Sequence, residues 1–251
     1  MNKLETMPSV TSPKQWPPAG VKPYYCDDAV CIILGDCWDI LPNLPHVDLV
    51  LTDPPYGIPE AAWRRTHPPL WGDVPSWDKV PERVKDIVEM ADKVVLWGGN
   101  NFDLPVAPHW FVWDKLQSNR GADCEMAWTR GATAHKVFRM SRIDAYVNKA
   151  CGLKKEHPTQ KPLALMVWCI EQMCLCSGSM VLDPFMGSGT SLLAAKESGH
   201  KAIGIELEER YCEISAKRMQ QQVLPLYTEK AVDRTEQHLS QGCLLGAERE
   251  T

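Results

Sequence analysis

Apolar residues along this chain gather into short runs that end abruptly in glycine, proline or an acid. The run Val47-Asp48-Leu49-Val50-Leu51-Thr52 has the content of a strand buried on both faces. Pro54 and Pro55 stop it, because neither can donate to a ladder. Cys31-Ile32-Ile33-Leu34 before Gly35-Asp36 repeats the pattern, as do Val94-Val95-Leu96-Trp97 before Gly98-Gly99 and Ala202-Ile203-Gly204-Ile205 before Glu206. Met180-Val181-Leu182-Asp183 leads instead into a glycine turn and then a helix. Helical spacing fills the gaps: a short piece at 38–41, a stripe of Val84, Ile87, Val88 and Met90 within 81–92, and residues 163–176 behind Pro162. Runs at 109–113 and 124–128 predict two further strands, neighbouring and antiparallel. Strands alternating with helices predict an open, mostly parallel α/β sheet covered on both faces. Ligands bind such sheets beyond the carboxyl ends of the strands, where Asp36, Asp53, Asp183 and Glu206 are expected to fall.

The rest of the chain is less regular. Residues 1–23 are rich in Pro, Ser and Thr and predict a loose arm, 24–222 hold the domain, and the polar, aperiodic 223–251 form a tail. Within the domain, 58–77 reads as a long loop crowded with Trp, Pro and Arg, the composition of a lid or binding loop. From 131 to 156 periodicity disappears again, which predicts a small insert.

Composition narrows the class. With 251 residues, 44% apolar and 24% charged, the chain can bury one large core. No apolar stretch reaches membrane-spanning length and no secretory core opens the sequence, so a cytoplasmic protein without a membrane partner is expected. The ten cysteines include no C-x2-C pair, which argues against a zinc site or a disulfide framework. The net charge of −5 argues against nucleic acid until it is resolved along the chain. Residues 130–161 carry eight Lys and Arg against two acids, +6, which leaves −11 elsewhere. Arg130, Lys136, Arg139, Arg142, Lys149, Lys154 and Lys155 of that band are therefore candidate contacts to a DNA backbone, with a solvated charged face as the alternative.

Asp53-Pro54-Pro55-Tyr56 would deliver an acid, a fixed turn and an aromatic into the crevice together. The exocyclic amino group of a nucleobase would use all three. Its nitrogen is conjugated with the ring and a poor nucleophile until acceptors grip both N–H bonds. Asp53 and the Pro54 carbonyl, held stiff by Pro55, can be those acceptors, and Tyr56 offers a face for the ring to stack on. Alone, an Asp-Pro turn after a strand is commonplace.

Asp183-Pro184-Phe185-Met186-Gly187-Ser188-Gly189-Thr190 reads strand, glycine turn, helix, and Glu206 ends another strand about 20 residues on, where an acid grips ribose hydroxyls. Together they describe an adenosine site. Leu192 stands where the dinucleotide fingerprint needs Gly or Ala, no Gly-Lys-Ser/Thr follows the turn, and Asp183 would repel pyrophosphate. S-adenosylmethionine, a sulfonium without phosphate, fits better than NAD, FAD or ATP.

Gly35-Asp36, Asp53-Pro54-Pro55-Tyr56-Gly57, His157-Pro158-Thr159-Gln160-Lys161-Pro162 and the 183–190 turn, in that order, resemble the β class of amino-group DNA methyltransferases over about 25–219. The resemblance implies a Rossmann-like S-adenosylmethionine-dependent sheet with circularly permuted motifs and a small basic DNA-recognition insert at 131–156. It implies that Asp53, Pro54, Pro55 and Tyr56 hold a flipped base. It also implies that Asp183, Phe185, Gly187, Ser188, Gly189 and Thr190 line the cofactor pocket, with Glu206 on the ribose, Asp36 near the adenine, and Thr159 and Lys161 near the methionine end. The expected reaction is methyl transfer to adenine N6 in DNA. Asp53 favours adenine only by degree, since the cytosine-N4 enzymes use the same chemistry and often carry Ser there. A catalytically silent DNA-binding subunit is the alternative of another class. Cytosine C5 transfer is excluded by the absence of any Pro-Cys dipeptide. The reading admits a homodimer and a phage or restriction-modification context without deciding either.

Overall fold

Nine strands form one sheet in the computed structural model, which describes residues 16–60, 63, 79–116, 122–146 and 156–221. They are β1 (Tyr25–Cys26), β2 (Val30–Leu34), β3 (Val47–Thr52), β4 (Ala91–Trp97), β5 (His109–Asp114), β6 (Cys124–Arg130), β7 (Lys136–Arg139), β8 (Met180–Asp183) and β9 (Lys201–Glu206). Their order across the sheet is β1-β2-β9-β8-β3-β4-β6-β5-β7. The block from β2 to β4 is parallel, and β6 runs antiparallel to both β4 and β5.

Alternation along the central strands explains why they read as continuous apolar runs. Val30, Ile32, Leu49, Leu51, Val95 and Trp97 point to one face, where they meet α4 (Leu163–Gln172), α5 (Thr190–Glu197) and α6 (Glu209–Gln220). Cys31, Ile33, Val50, Val94, Leu96 and Ile203 point to the other, under α1 (Cys37–Ile40) and α2 (Val84–Val88). Both faces are therefore dry, as a parallel sheet requires. The expected sheet with helices on both faces is present.

Several boundaries differ from expectation. The helix expected over 81–92 is only α2, because the chain must straighten for Ala91 to pair with Val47. Arg130 donates to the carbonyls of Val88 and Ala91 and so occupies groups that a longer helix would have used. Helix α4 stops at Gln172 rather than 176. Lys93 Nζ caps the Met173 and Cys174 carbonyls at 2.8 and 3.1 Å, and Cys174 turns to φ 48°. The aperiodic 131–156 contains β7, which joins the sheet edge beside β5, and α3 (Arg142–Tyr146). Three of the four residues of β7 are exposed and the other is half-buried, so it carries no alternation and periodicity could not find it.

No helix among the described residues is long and apolar enough to cross a membrane. The chain divides into units at 1–219 and 220–251, and of the second only 220 and 221 are described. The arm up to residue 15, all of the loop at 58–77 except 58–60 and 63, and Lys149, Lys154 and Lys155 lie outside the described residues.

Candidate active site

Because β3 and β8 are neighbours, their tips set Asp53 and Asp183 side by side. Backbone pairing between these strands is short, Leu49 with Val181 and Val50 with Leu182, and side chains extend it at both ends. Asp48 accepts from the Met180 N–H at 2.7 Å, and Thr52 Oγ1 donates to Asp183 Oδ1 at 2.6 Å. Asp183 also accepts from the Ser191 hydroxyl and, at 3.1 Å, from the Phe185 N–H. One buried carboxylate thus ties a strand tip, the glycine turn and α5 together. Burial pushes its pKa up to about 6, against the opposing pull of those three donors.

The turn itself depends on glycine. Gly187 and Gly189 lie at φ 51° and 79°, and a Cβ on Gly187 would sit 3.4 Å from the His157 ring. His157 in turn packs edge-on against Tyr211 and accepts from the Thr159 N–H, with the Thr159 hydroxyl 3.1 Å away. Behind the turn, Gln160 Oε1 accepts from Ser188 Oγ and from the Arg218 guanidinium, which also donates to the Ser188 carbonyl at 2.7 Å. Neither Gln160 nor Arg218 stands out in the sequence as a site residue, although Gln160 lies inside the His-Pro-Thr-Gln-Lys-Pro stretch.

Glu206, at the tip of β9, accepts from the N–H groups of Gly187 and Glu208 at 2.9 and 2.8 Å. Burial raises it from 4.5 to about 7. Folding therefore disfavours its ionised form; the penalty is absent below about pH 4.5, grows as pH rises, and is complete above about 7. Glu206→Gln should accordingly be more stable than the parent at pH 8 and lose that advantage by pH 4.5. Denaturant titration at the two pH values reads this directly.

Asp36, Asp53, Tyr56, Asp183, Gly187 and Glu206 all line one cavity of about 520 Å³. Asp36 is also the N-cap of α1, accepting from the Trp38 N–H at 2.9 Å. Trp38 stands edge-on to Phe185 at 6.2 Å with Arg83 over its ring, so an aromatic wall closes the cavity on that side. The Tyr56 ring rests on the turn after β4, where a Cβ on Gly98 would come within 2.8 Å of it.

Lys161 lines the same cavity and is paired there with acids. Its ammonium is 2.5 Å from Asp53 Oδ2 and 3.1 Å from Glu125 Oε2, and Glu125 Oε1 is 2.7 Å from Lys115 Nζ. Burial alone would lower the Lys161 pKa, but Asp53 and Glu125 raise it well above the ordinary value. Burial likewise works against ionised Glu125, yet Lys161 and Lys115 bring it down to about 2.

The basic band is split by the sheet. β7 runs parallel to β5, so Arg139, opposite Asp114, lies at the cleft edge with Arg142 just beyond, whereas Lys136 starts the strand at the far edge. Arg130 likewise ends β6 at the edge away from the cleft, holding the end of α2 and Glu89.

The profile of the N6/N4 DNA methylase family matches residues 110–217. The Type II methyltransferase M.HinfI of Haemophilus influenzae is 41% identical over 248 aligned residues, which cover 76% of this chain and 68% of that protein. The chain belongs to the N6/N4 DNA methylase family. S-adenosylmethionine is the methyl donor of that family. The Type II methyltransferase M2.DpnII of Streptococcus pneumoniae is 31% identical over 134 residues, 52% of the chain. The chain spans only 42% of the length of that relative. Among solved structures, the PvuII DNA methyltransferase (cytosine-N4-specific) is 19% identical, covers 82% of this chain and 91% of its own, and superposes with a TM-score of 0.54; it shares the fold. The fold and family expected from the four motifs are thus those of a DNA methylase, and the donor is the one expected from the glycine turn.

Proposed function

We propose that the cleft methylates the N6 amino group of adenine in DNA. The observation that supports it is the meeting of Asp53-Pro54-Pro55-Tyr56 and the glycine turn in one cavity, from strands that are neighbours in space and 131 residues apart at Thr52 and Asp183.

The cavity suits the donor. Glu206, half-buried beside the glycine turn, would hold the ribose hydroxyls of the donor, and Phe185, Trp38 and Asp36, which line the same cavity, would hold its adenine ring. Gly187, at φ 51°, holds the turn that lines the cavity in a backbone conformation that a larger residue rarely adopts. When bound, S-adenosylmethionine supplies an electrophilic methyl group on a sulfonium.

The chain's own residues do the rest by positioning. A base inside a duplex hides its amino group, so it must be flipped out at a cost of a few kcal/mol, which stacking on Tyr56 and phosphate contacts offset. Arg139 and Arg142, at the cleft edge, are the described residues proposed for those phosphates. Asp53 and the Pro54 carbonyl accept the two N–H bonds and draw the nitrogen toward a tetrahedral shape. Holding nucleophile and electrophile together supplies most of the acceleration. The methylated nitrogen is strongly acidic and sheds its proton to Asp53 or to water.

DNA from cells that express the chain, digested to nucleosides, tests the proposal. N6-methyl-2′-deoxyadenosine is expected. N4-methyl-2′-deoxycytidine would assign the other amino group, and an unmodified digest would overturn the reading.

A further inference from the structure

Four charged side chains run in a row across the tips of β3, β6 and β5 and the 157–162 loop: Asp53, Lys161, Glu125 and Lys115, alternating in sign. Lys161 and Lys115 keep only 4% and 7% of their side-chain surface, Asp53 12% and Glu125 27%. Lys161 lies 6.0 Å from the centre of the Trp97 ring and Lys115 5.3 Å from that of Trp113, so both ammonium groups are walled by aromatics rather than water. The Lys115 N–H also bonds the Asp123 carbonyl, which fixes the ends of β5 and β6 together. Buried ionic chains are a poor way to stabilise a fold, since well-packed apolar groups of the same volume usually serve as well or better. Their persistence at the edge of a reaction cleft asks for another role.

We propose that Glu125 and Lys115 are positioning residues for the amino-group acceptor: through Lys161 they fix the plane of the Asp53 carboxylate and set how strongly it accepts. The proposal rests on Asp53 being the acceptor in methyl transfer. Geometry gives the orienting part, because Lys161 takes Asp53 Oδ2 and is itself held from the far side by Glu125. Charge gives the tuning part. Facing a whole ammonium, Asp53 would be a weak acceptor of both the amino N–H and the departing proton. Glu125 shares that ammonium, and Lys115 keeps Glu125 from overbalancing it. Tyr56 and Asp183 are the other titratable groups whose charge reaches this pair.

A charge chain predicts a coupling that a packing role does not. In Glu125→Gln, Lys161 and Lys115 face Asp53 without their shared counter-ion. In the double variant Lys115→Met with Glu125→Gln, the row shrinks to a balanced Lys161 and Asp53. Methyl transfer from labelled S-adenosylmethionine to unmethylated duplex DNA, measured on the full chain, separates the two roles. Glu125→Gln should lower kcat roughly 10- to 100-fold, the size expected when a catalytic group is misplaced by about an ångström, with the KM for S-adenosylmethionine within about threefold of the parent. The double variant should recover part of that loss, at least about twofold but short of the parent, because the second unpaired ammonium is gone while Lys161 still bears on Asp53 undivided, and Glu125→Asp should stay near the parent. The inference is overturned if Glu125→Gln stays within about twofold of the parent, if the KM rises in step with the loss, or if the double variant is no better than the single. Should Glu125→Gln not fold, Lys115→Met alone decides: a lower kcat with cofactor binding kept supports the chain, and an unchanged kcat overturns it. Failure of the parent chain to transfer any methyl group would strike the methyltransfer reading instead, whereas transfer to cytosine leaves the charge chain testable as described.

Discussion

Asp53→Ala should lower methyl transfer by at least about 1,000-fold while S-adenosylmethionine binding stays within a few-fold, because the variant removes the acceptor and leaves the glycine turn and Glu206 in place. The grip of the carboxylate on the amino group strengthens as the nitrogen becomes tetrahedral, so its loss falls mainly on kcat rather than on KM. A stability effect accompanies it. Lys161 loses a partner 2.5 Å away but keeps Glu125, so the cost is a fraction of that for an orphaned buried charge, about 1–3 kcal/mol. Asp53→Asn, which keeps one oxygen and the shape, should retain more activity than alanine. Kinetics of both variants beside equilibrium cofactor binding check this; an Asp53→Ala variant that turns over within about tenfold of the parent contradicts the assignment.

Gly189→Ala should cost about 3–5 kcal/mol and abolish cofactor binding. Gly189 sits at φ 79°, a conformation costing an L-residue about 1–2 kcal/mol, and an added Cβ would stand 2.0 Å from Ser215 Oγ and 2.9 Å from Ser215 Cβ. Ser215 is fully buried on α6, so the clash moves the helix or the turn. Gly178 is the control: its φ of 75° is similar, but nothing lies within 4 Å of a Cβ there, so Gly178→Ala should show the backbone cost alone. Denaturant unfolding of both variants checks the difference, and equal losses would remove the role assigned to Ser215.

The strand tips were legible because of how parallel sheets are built. A strand dry on both faces shows as an unbroken apolar run, and an acid or a proline pair ending that run marks the tip without ambiguity, as at Thr52-Asp53-Pro54 and Leu182-Asp183-Pro184. The glycine turn and Glu206 were legible for the same reason, since spacing from one tip to the next is short. The charge row was not. Lys161 and Asp53 are 108 residues apart, and Glu125 reaches Lys161 only because β6 runs antiparallel, which reverses the end of that strand brought to the cleft. Glu125 in Cys124-Glu125-Met126-Ala127-Trp128 was the available signal, an acid inside an otherwise apolar strand. The spatial division of the basic band was hidden for a related reason. Arg130, Lys136 and Arg139 are close in sequence but lie at the two ends of β6 and β7, so charge counted along the chain does not count charge on one face.

The central claim is that the exocyclic amino group of adenine, gripped at the tip of β3, is the methyl acceptor. Single-turnover transfer from labelled S-adenosylmethionine to two duplexes of one sequence tests it most directly, one with adenine and one in which each adenine is replaced by purine lacking the 6-amino group. The account predicts label in the first duplex and none in the second, with both bound equally well. Equal labelling of the two would contradict it.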